Sequence, residues 1–198
     1  IRIIAPVPGK GTVGVEIPNH RPALVTIRSI INSGKFRDTK AALPLALGKT
    51  ITGEVFVDDL TRMPHVLIAG STGSGKSVGI NTVLTSLIYR LHPSDVKFVI
   101  IDPKKIELSL YGKLGKHYLA VSPDVDEEII TTSNNAVLML KSVELEMEKR
   151  YDRLALAAVR NIADYNDRIK AGRLQDTETV KHRKMPYLVV IIDELADL

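Results

Sequence analysis

The chain has 198 residues, of which 44% are hydrophobic and 25% are charged, the balance of an ordinary globular domain rather than of a disordered segment. It contains no cysteine, which excludes disulfide bonds and thiolate metal sites within this sequence. No apolar run approaches the roughly 20 residues that a membrane-spanning helix needs, and the net charge of +4 is compatible with a polyanionic partner without requiring one.

The N-terminal part reads as short strands separated by turns. Apolar and β-branched residues between proline-rich and glycine-rich segments predict three strands, at residues 1–4, 13–17 and 24–27. Residues 43–47 and 54–57 flank a glycine-containing turn and predict a β-hairpin. We divide the chain into a strand-rich segment, residues 1–40, which ends an N-terminal subdomain, and a core of residues 41–198.

From residue 65 onward strands alternate with helices, which predicts an α/β core with a mainly parallel sheet. The predicted elements are a buried strand at 66–69, a helix at 76–91, a strand at 97–101, a helical start at 122–124, helices at 132–159 and 162–171, and a strand at 187–192. Apolar residues recur through the longest helix and predict a core stripe, made of Val137, Leu138, Leu140, Val143, Leu145, Met147, Tyr151, Leu154 and Ala158.

A glycine-rich loop stands between the strand at 66–69 and the helix that follows it. Its sequence, Gly70-Ser71-Thr72-Gly73-Ser74-Gly75-Lys76-Ser77, fits the phosphate-loop pattern G-x-x-x-x-G-K-[ST] at every fixed position. Glycines let successive N–H groups turn toward phosphate oxygens, and the start of the helix attracts the same anion. We expect Lys76 to contact the β- and γ-phosphates of ATP and Ser77 to bind Mg²⁺. Residues 70–77 together with Val78 form the predicted nucleotide site.

An acidic pair follows the last apolar strand. Asp193 comes directly after residues 187–192, where a magnesium-positioning acid is expected, and binds Mg²⁺ directly or through water. Glu194 is placed to orient or deprotonate the attacking water. The predicted catalytic residues are therefore Lys76, Asp193 and Glu194. Another charged group, Asp102-Pro103-Lys104-Lys105, follows the strand at 97–101 on the ligand-binding side of the sheet, but its pattern alone favours a solvated loop.

Several motifs along the whole chain together resemble the FtsK/SpoIIIE family of DNA translocases. They lie at residues 8–10, 14–19, 63–65, 69–79, 102–104, 107–108, 147–151, 160–162, 165–166 and 193–198. The resemblance implies a RecA-like P-loop motor that assembles as a hexameric ring around double-stranded DNA and moves it by ATP hydrolysis, in bacterial chromosome segregation and cell division. It also implies a cytoplasmic motor domain in a full-length protein of the inner membrane at the division septum, anchored by an N-terminal region absent from this sequence.

The family continues beyond its acidic pair with further strands, a sensor region and a DNA-reading module. We therefore expect a motor-domain fragment truncated after the strand at 187–192, and we assign no arginine finger or DNA-contacting residue. Two other functions stay open: a conjugation or secretion coupling ATPase with the same core, and a nucleotide-binding switch with negligible turnover. Glu194 argues against the switch, because a module that only holds ATP needs no positioned base.

Overall fold

The computed structural model describes residues 1–5, 9, 11–21, 23–115, 117–177 and 180–197. The strands in this part of the chain are β1 Arg2–Ile4, β2 Gly14–Glu16, β3 Pro44–Lys49, β4 Val55–Asp59, β5 Val96–Ile101 and β6 Tyr187–Ile192. The α-helices are α1 Ile27–Ile31, α2 Gly34–Arg37, α3 Lys76–Arg90, α4 Ser133–Leu156 and α5 Ile162–Lys170. Short 3₁₀ helices occur at Leu60–Arg62, Ser109–Leu114 and Leu195–Asp197. Pro8, Lys10 and Leu198, which contribute to the family motifs, lie outside the described residues.

A parallel pair of strands, β5 and β6, lies at the centre of the α/β core and is in register over its full length. Successive side chains of a strand point to opposite faces, so the pair has two apolar faces. On one face, Phe98 packs in a cluster with Leu84 and Leu87 of α3. On the other, Ile101 packs in a cluster with Met139 of α4. The predicted α/β core, with parallel strands covered by helices on both faces, is confirmed.

The predicted hairpin is also present, as the antiparallel pair β3 and β4. Its register shifts between Ala46 and Gly48, where Gly48 has a φ of 136°, in the region that favours glycine. Ala46 packs with Phe36 of α2, while Leu45 joins the cluster that contains α3. The Ala46 N–H also donates a 3.0 Å hydrogen bond to Ser86 Oγ of α3. The hairpin therefore anchors the helix that follows the phosphate loop.

The predicted strand at residues 24–27 is wrong, because α1 begins at Ile27. Thr26 Oγ1 caps this helix by accepting a hydrogen bond from the Ser29 N–H, and Ile30 is only 1% exposed against the hairpin. A cap and a buried anchor outweigh the strand propensity of the local sequence. The other two N-terminal strands are present as β1 paired with β2. The division of the chain at residue 40 stays a prediction.

The buried strand predicted at residues 66–69 is wrong as well. These residues belong to no strand, and their side chains are exposed, with Leu67 at 85% and Val66 at 50%. A β-strand depends on hydrogen bonds to a neighbouring strand, and no strand in the described part of the chain pairs with this segment. Residues 66–69 have the apolar composition of a buried strand, but composition alone does not provide a neighbouring strand with which they can pair.

The longest helix, α4, matches the predicted helix closely but not its predicted core stripe. Ala136 and Met139 of α4 are buried in the cluster with Ile101 of β5, and Val143 packs against that cluster. Most of the predicted stripe is exposed: Val137, Leu138, Leu140, Leu145, Met147 and Tyr151. Residues 122–124 form a turn rather than the start of a helix. None of the described helices is both long enough and apolar enough to span a membrane.

A carboxylate at the end of β4 ties the hairpin to the segment before it. Asp59 accepts hydrogen bonds from the N–H groups of Ala42 at 2.9 Å, Leu43 at 3.1 Å and Thr61 at 3.0 Å. Burial opposes ionisation of this carboxyl, but these donors outweigh it and lower its pKa. The ionised form of Asp59 is therefore part of the folded structure.

We expect Asp59→Ala to lower the free energy of unfolding by about 1–3 kcal/mol, because backbone donors lose their acceptor. Asp59→Asn keeps one acceptor oxygen and should cost less. Since the folded-state pKa lies below the usual 3.8, this stabilisation is complete above pH 3.8 and disappears as the pH falls through the folded-state value. Urea unfolding of both variants measures the effect, and equal stability of wild type and Asp59→Ala would contradict it.

Candidate nucleotide-binding site

The predicted phosphate loop, residues 70–77, leads directly into α3. Gly73 and Gly75 have φ angles of 79° and 96°, in the left-handed region that favours glycine. The Ser74 N–H donates a 2.9 Å hydrogen bond to the carbonyl of Ser71 and closes a tight turn. Gly75 is the N-cap of α3, so no side chain caps the first N–H groups of this helix. Uncapped donors at a helix start, reached through a glycine turn, are typical of an anion-binding loop.

Lys76, the first residue of α3, contacts the residues that follow β6. Its Nζ donates to the carbonyl of Asp193 at 2.8 Å and to Oε2 of Glu194 at 3.1 Å, and lies 3.6 Å from Oδ1 of Asp193. The hydrogen bond to Glu194 is the main cause that raises the pKa of Lys76. The structure therefore brings together the three predicted catalytic residues, although Lys76 and Asp193 are 117 positions apart in the sequence.

The Asp193 side chain is buried, with 2% of its surface exposed. Its N–H donates a 3.0 Å hydrogen bond to the carbonyl of Ile101, which continues the pairing of β5 and β6 by one residue. Its Oδ1 atom is buried and makes no hydrogen bond with any described residue. A buried carboxylate oxygen without a donor is unfavourable unless a cation is close to it. In this structure that cation is Nζ of Lys76, 3.6 Å away, and the oxygen, which accepts no hydrogen bond, could bind a metal ion in its place.

The oxygen atoms near Asp193 are compatible with the few protein ligands that Mg²⁺ usually takes. Mg²⁺ usually takes one or two protein oxygens and fills its other positions with water and substrate phosphates. Among the described residues no group of three or more His, Cys, Asp or Glu side chains could hold a metal by itself. Ser77, in the first turn of α3, and Asp193, directly after β6, each carry a side-chain oxygen of the kind that Mg²⁺ binds. Oδ1 of Asp193 accepts no hydrogen bond from Ser77 or from any other described residue.

Glu194 lies between two lysines. Nζ of Lys76 and Nζ of Lys104 are each 3.1 Å from the same oxygen, Oε2. The hydrogen bond from Lys76, followed by that from Lys104, lowers the pKa of the Glu194 carboxyl. The side chain is 32% exposed, so solvent reaches it. Glu194 is therefore an ionised, solvent-accessible carboxylate beside the phosphate loop, as a residue that contacts water requires.

Lys104 is the residue of this site that the sequence pattern missed. Its Nζ also lies 3.6 Å from Oδ2 of Asp197, so this lysine bridges Glu194 and Asp197. The signal that could have found it is its position just after β5, because the loops after neighbouring parallel strands meet at the same sheet edge. Lys104 is thus part of the site, whereas its exposed neighbour Lys105 makes no ion pair with a described residue.

The other predicted nucleotide-binding residues are exposed in the loop or in the first turn of α3: Gly70, Ser71, Thr72, Gly73, Ser74, Gly75 and Val78. A Cβ atom added at Gly70 would lie 2.1 Å from Ser74 Oγ and 3.2 Å from Ser74 Cβ, so a larger residue there would require the Ser74 side chain to move. No hydrogen bond or ion pair joins these residues to the acidic pair in the described chain; Lys76 alone makes that connection. Their roles stay predictions.

The FtsK/SpoIIIE family model matches residues 26–198 of this chain. The chain is 51% identical to the DNA translocase FtsK of Chlorobaculum tepidum, covering all of this chain and 23% of that protein. It is 47% identical to the DNA translocase SftA of Bacillus subtilis, covering all of this chain and 19% of that protein. The chain thus spans about a fifth of the length of these curated relatives.

Two solved structures show a similar fold. One is the conjugation coupling protein TcpA of pCW3, solved with ATPγS, with a TM-score of 0.60 and 25% identity over 83% of this chain and 39% of TcpA. The other is the cytoplasmic domain of the type VII secretion ATPase EccC of Thermomonospora curvata, with a TM-score of 0.57 and 23% identity over 76% of this chain and 17% of EccC. The α/β core is therefore a RecA-like P-loop ATPase fold. By the extent of the family match and the identity to its members, the chain belongs to the FtsK/SpoIIIE family.

Proposed function

We propose that this chain is the ATP-hydrolysing part of a motor that moves double-stranded DNA. One observation carries the hydrolysis: Lys76 of the phosphate loop lies within 3.6 Å of both acids that follow β6. Phosphate binding and water activation require groups from distant parts of the sequence to meet, and this arrangement supports both.

Each residue has a definite part in the proposed reaction. The N–H groups of residues 70–78 and the Lys76 ammonium bind the phosphates of ATP, for which Lys76 exchanges its contacts with Asp193 and Glu194 for phosphate oxygens. Ser77 and Asp193 would hold Mg²⁺, Asp193 directly or through water. When bound, Mg²⁺ neutralises charge on the phosphates. Glu194 orients the attacking water and accepts its proton.

Double-stranded DNA is the proposed load because the relatives at 51% and 47% identity are named DNA translocases. The net charge of +4 is compatible with a polyanionic partner but adds little. The similar folds of TcpA and EccC favour the second candidate, a coupling ATPase of conjugation or secretion. A nucleotide switch without turnover is the third candidate. Glu194, which lies 3.1 Å from Lys76, opposes it, because holding ATP requires no positioned base.

The first experiment compares steady-state ATP hydrolysis with and without long double-stranded DNA over a series of salt concentrations. It uses the intact protein, with any sequence that flanks this chain. We expect stimulation of about tenfold or more at low salt, which declines as salt rises because phosphate contacts release counterions. Hydrolysis that is indifferent to DNA would favour the coupling ATPase. Nucleotide binding without hydrolysis under all conditions would favour the switch.

Family membership also supports a proposal for assembly and location. We infer a hexameric ring around DNA, and a cytoplasmic motor domain within a full-length protein of the inner membrane at the division septum. Light scattering of the intact protein with and without ATP and DNA tests the ring. Imaging of a fluorescent fusion during cell division tests the location. A uniformly cytosolic signal would contradict the second inference.

A further inference from the structure

Lys104 contacts the proposed water-activating residue from outside the phosphate loop. Its Nζ is 3.1 Å from Oε2 of Glu194, the same oxygen and the same distance as for Nζ of Lys76. The other oxygen of this carboxylate, Oε1, makes no hydrogen bond with any described residue. One oxygen is thus held by two cations, and the other is left for solvent.

The loop that carries Lys104 is fixed by a buried carboxylate. Asp102 has no exposed surface, and its oxygens accept hydrogen bonds from the N–H groups of Lys105 at 3.0 Å and Leu108 at 2.9 Å. Leu108 is itself fully buried in the cluster beside α3. Since β5 and β6 run parallel and in register, their following loops lie at one sheet edge. The backbone therefore places Lys104 next to Glu194.

The two lysines differ in what nucleotide binding does to them. Lys76 belongs to the phosphate loop, and its ammonium is needed at the β- and γ-phosphates once ATP binds. Lys104 lies outside that loop, and its second contact, 3.6 Å to Oδ2 of Asp197, is with a residue that forms no ion pair with Lys76 in the described chain. When Lys76 turns to the phosphates, Lys104 is the cation that still contacts Glu194.

We propose that Lys104 is a positioning residue, which keeps the Glu194 carboxylate oriented toward the attacking water after Lys76 has moved to the nucleotide. This inference rests on the proposed ATP hydrolysis. The hydrogen bond to Oε2 fixes the direction of the carboxylate, so that Oε1 faces the water. A small misplacement of a catalytic group is enough to slow a reaction strongly, which makes such a contact effective.

The same contact adds little to the stability of the fold. The Lys104 side chain is 51% exposed and the Asp197 side chain 46% exposed, and ion pairs between exposed groups are screened by solvent. Replacement of Lys104 should therefore leave the melting temperature unchanged. A loss of activity in such a variant then reports on the reaction and not on folding.

The test measures kcat and KM for ATP in the intact protein carrying Lys104→Ala, Lys104→Arg or Lys105→Ala. We expect Lys104→Ala to lower kcat by about 10- to 100-fold with KM changed less than about twofold. Lys104→Arg keeps a cation in place and should retain most of kcat. Lys105→Ala removes the same charge from the neighbouring exposed residue, which has no ion pair among the described residues, and should behave as wild type.

A double-variant comparison shows whether Lys104 acts through Glu194. In single-turnover measurements, Lys104→Ala should cost nothing further when Glu194→Gln is already present. A further loss in that background, or a raised KM with unchanged kcat, would show that Lys104 contacts the nucleotide itself and would overturn the inference. So would wild-type kcat in Lys104→Ala. Each of these results would overturn the role of Lys104, but ATP hydrolysis by the wild-type protein would still support the proposed function. A wild-type protein that does not hydrolyse ATP would instead refute the proposed function.

Discussion

Lys76→Ala is expected to weaken ATP binding by at least about a hundredfold and to remove measurable hydrolysis. The variant loses the ammonium that we propose binds the β- and γ-phosphates, and hydrogen bonds to charged groups are among the strongest that a protein makes. The rest of the loop, including the left-handed Gly73 and Gly75, is unchanged by the substitution. Titration with a fluorescent ATP analogue measures the binding, and phosphate release measures the turnover.

This prediction needs a control for folding, because Lys76 also lies 3.6 Å from the buried Oδ1 of Asp193. Without that cation the Asp193 carboxylate is buried with no ionic partner among the described residues, so Lys76→Ala should melt at a lower temperature than wild type. Binding is therefore compared well below both melting transitions. Lys105→Ala, which removes a nearby exposed lysine, should keep wild-type binding and turnover. Wild-type turnover in Lys76→Ala would refute the assignment of the phosphate loop.

Glu194→Gln is expected to bind ATP nearly as well as wild type but to hydrolyse it about 10²- to 10⁴-fold more slowly. Glutamine has the size of glutamate and still offers an oxygen to Lys76 and Lys104, both 3.1 Å from Oε2 in the wild type. It cannot accept a proton from water. The variant should therefore accumulate bound ATP, which rapid filtration with labelled nucleotide detects after a single-turnover delay.

The contrast between the two variants identifies the roles of their residues. Lys76→Ala should bind ATP much more weakly than wild type, whereas Glu194→Gln should bind ATP nearly normally but hydrolyse it slowly. Rapid hydrolysis by Glu194→Gln would place the base elsewhere. Asp193→Asn offers a matched comparison, because it neutralises the neighbouring acid and should raise the Mg²⁺ concentration needed for half-maximal activity. A Glu194→Gln variant should show no such shift.

Local features of the sequence determined much of this protein. The phosphate loop could be recognised because its requirements fall on consecutive residues: glycines at positive φ in Gly73 and Gly75, then a helix that begins at Lys76. The hairpin of β3 and β4 and the parallel strands β5 and β6 were likewise predicted, since their apolar runs and turn residues are local signals. The acidic pair, Asp193 and Glu194, could be identified because it directly follows the apolar strand β6. The catalytic roles of these residues stay predictions.

Only the tertiary structure decided which residues are buried and which distant groups meet. The apolar segment at 66–69 and most of the α4 stripe are exposed, because burial depends on a neighbour that composition does not specify. Lys104 reaches Glu194, 90 positions away, because the register of β5 on β6 brings their loops to one edge and Asp102 fixes the loop that carries the lysine. A sequence pattern encodes what consecutive residues require of their own backbone. Contacts between separate loops follow from strand register, which is set only when the sheet has assembled.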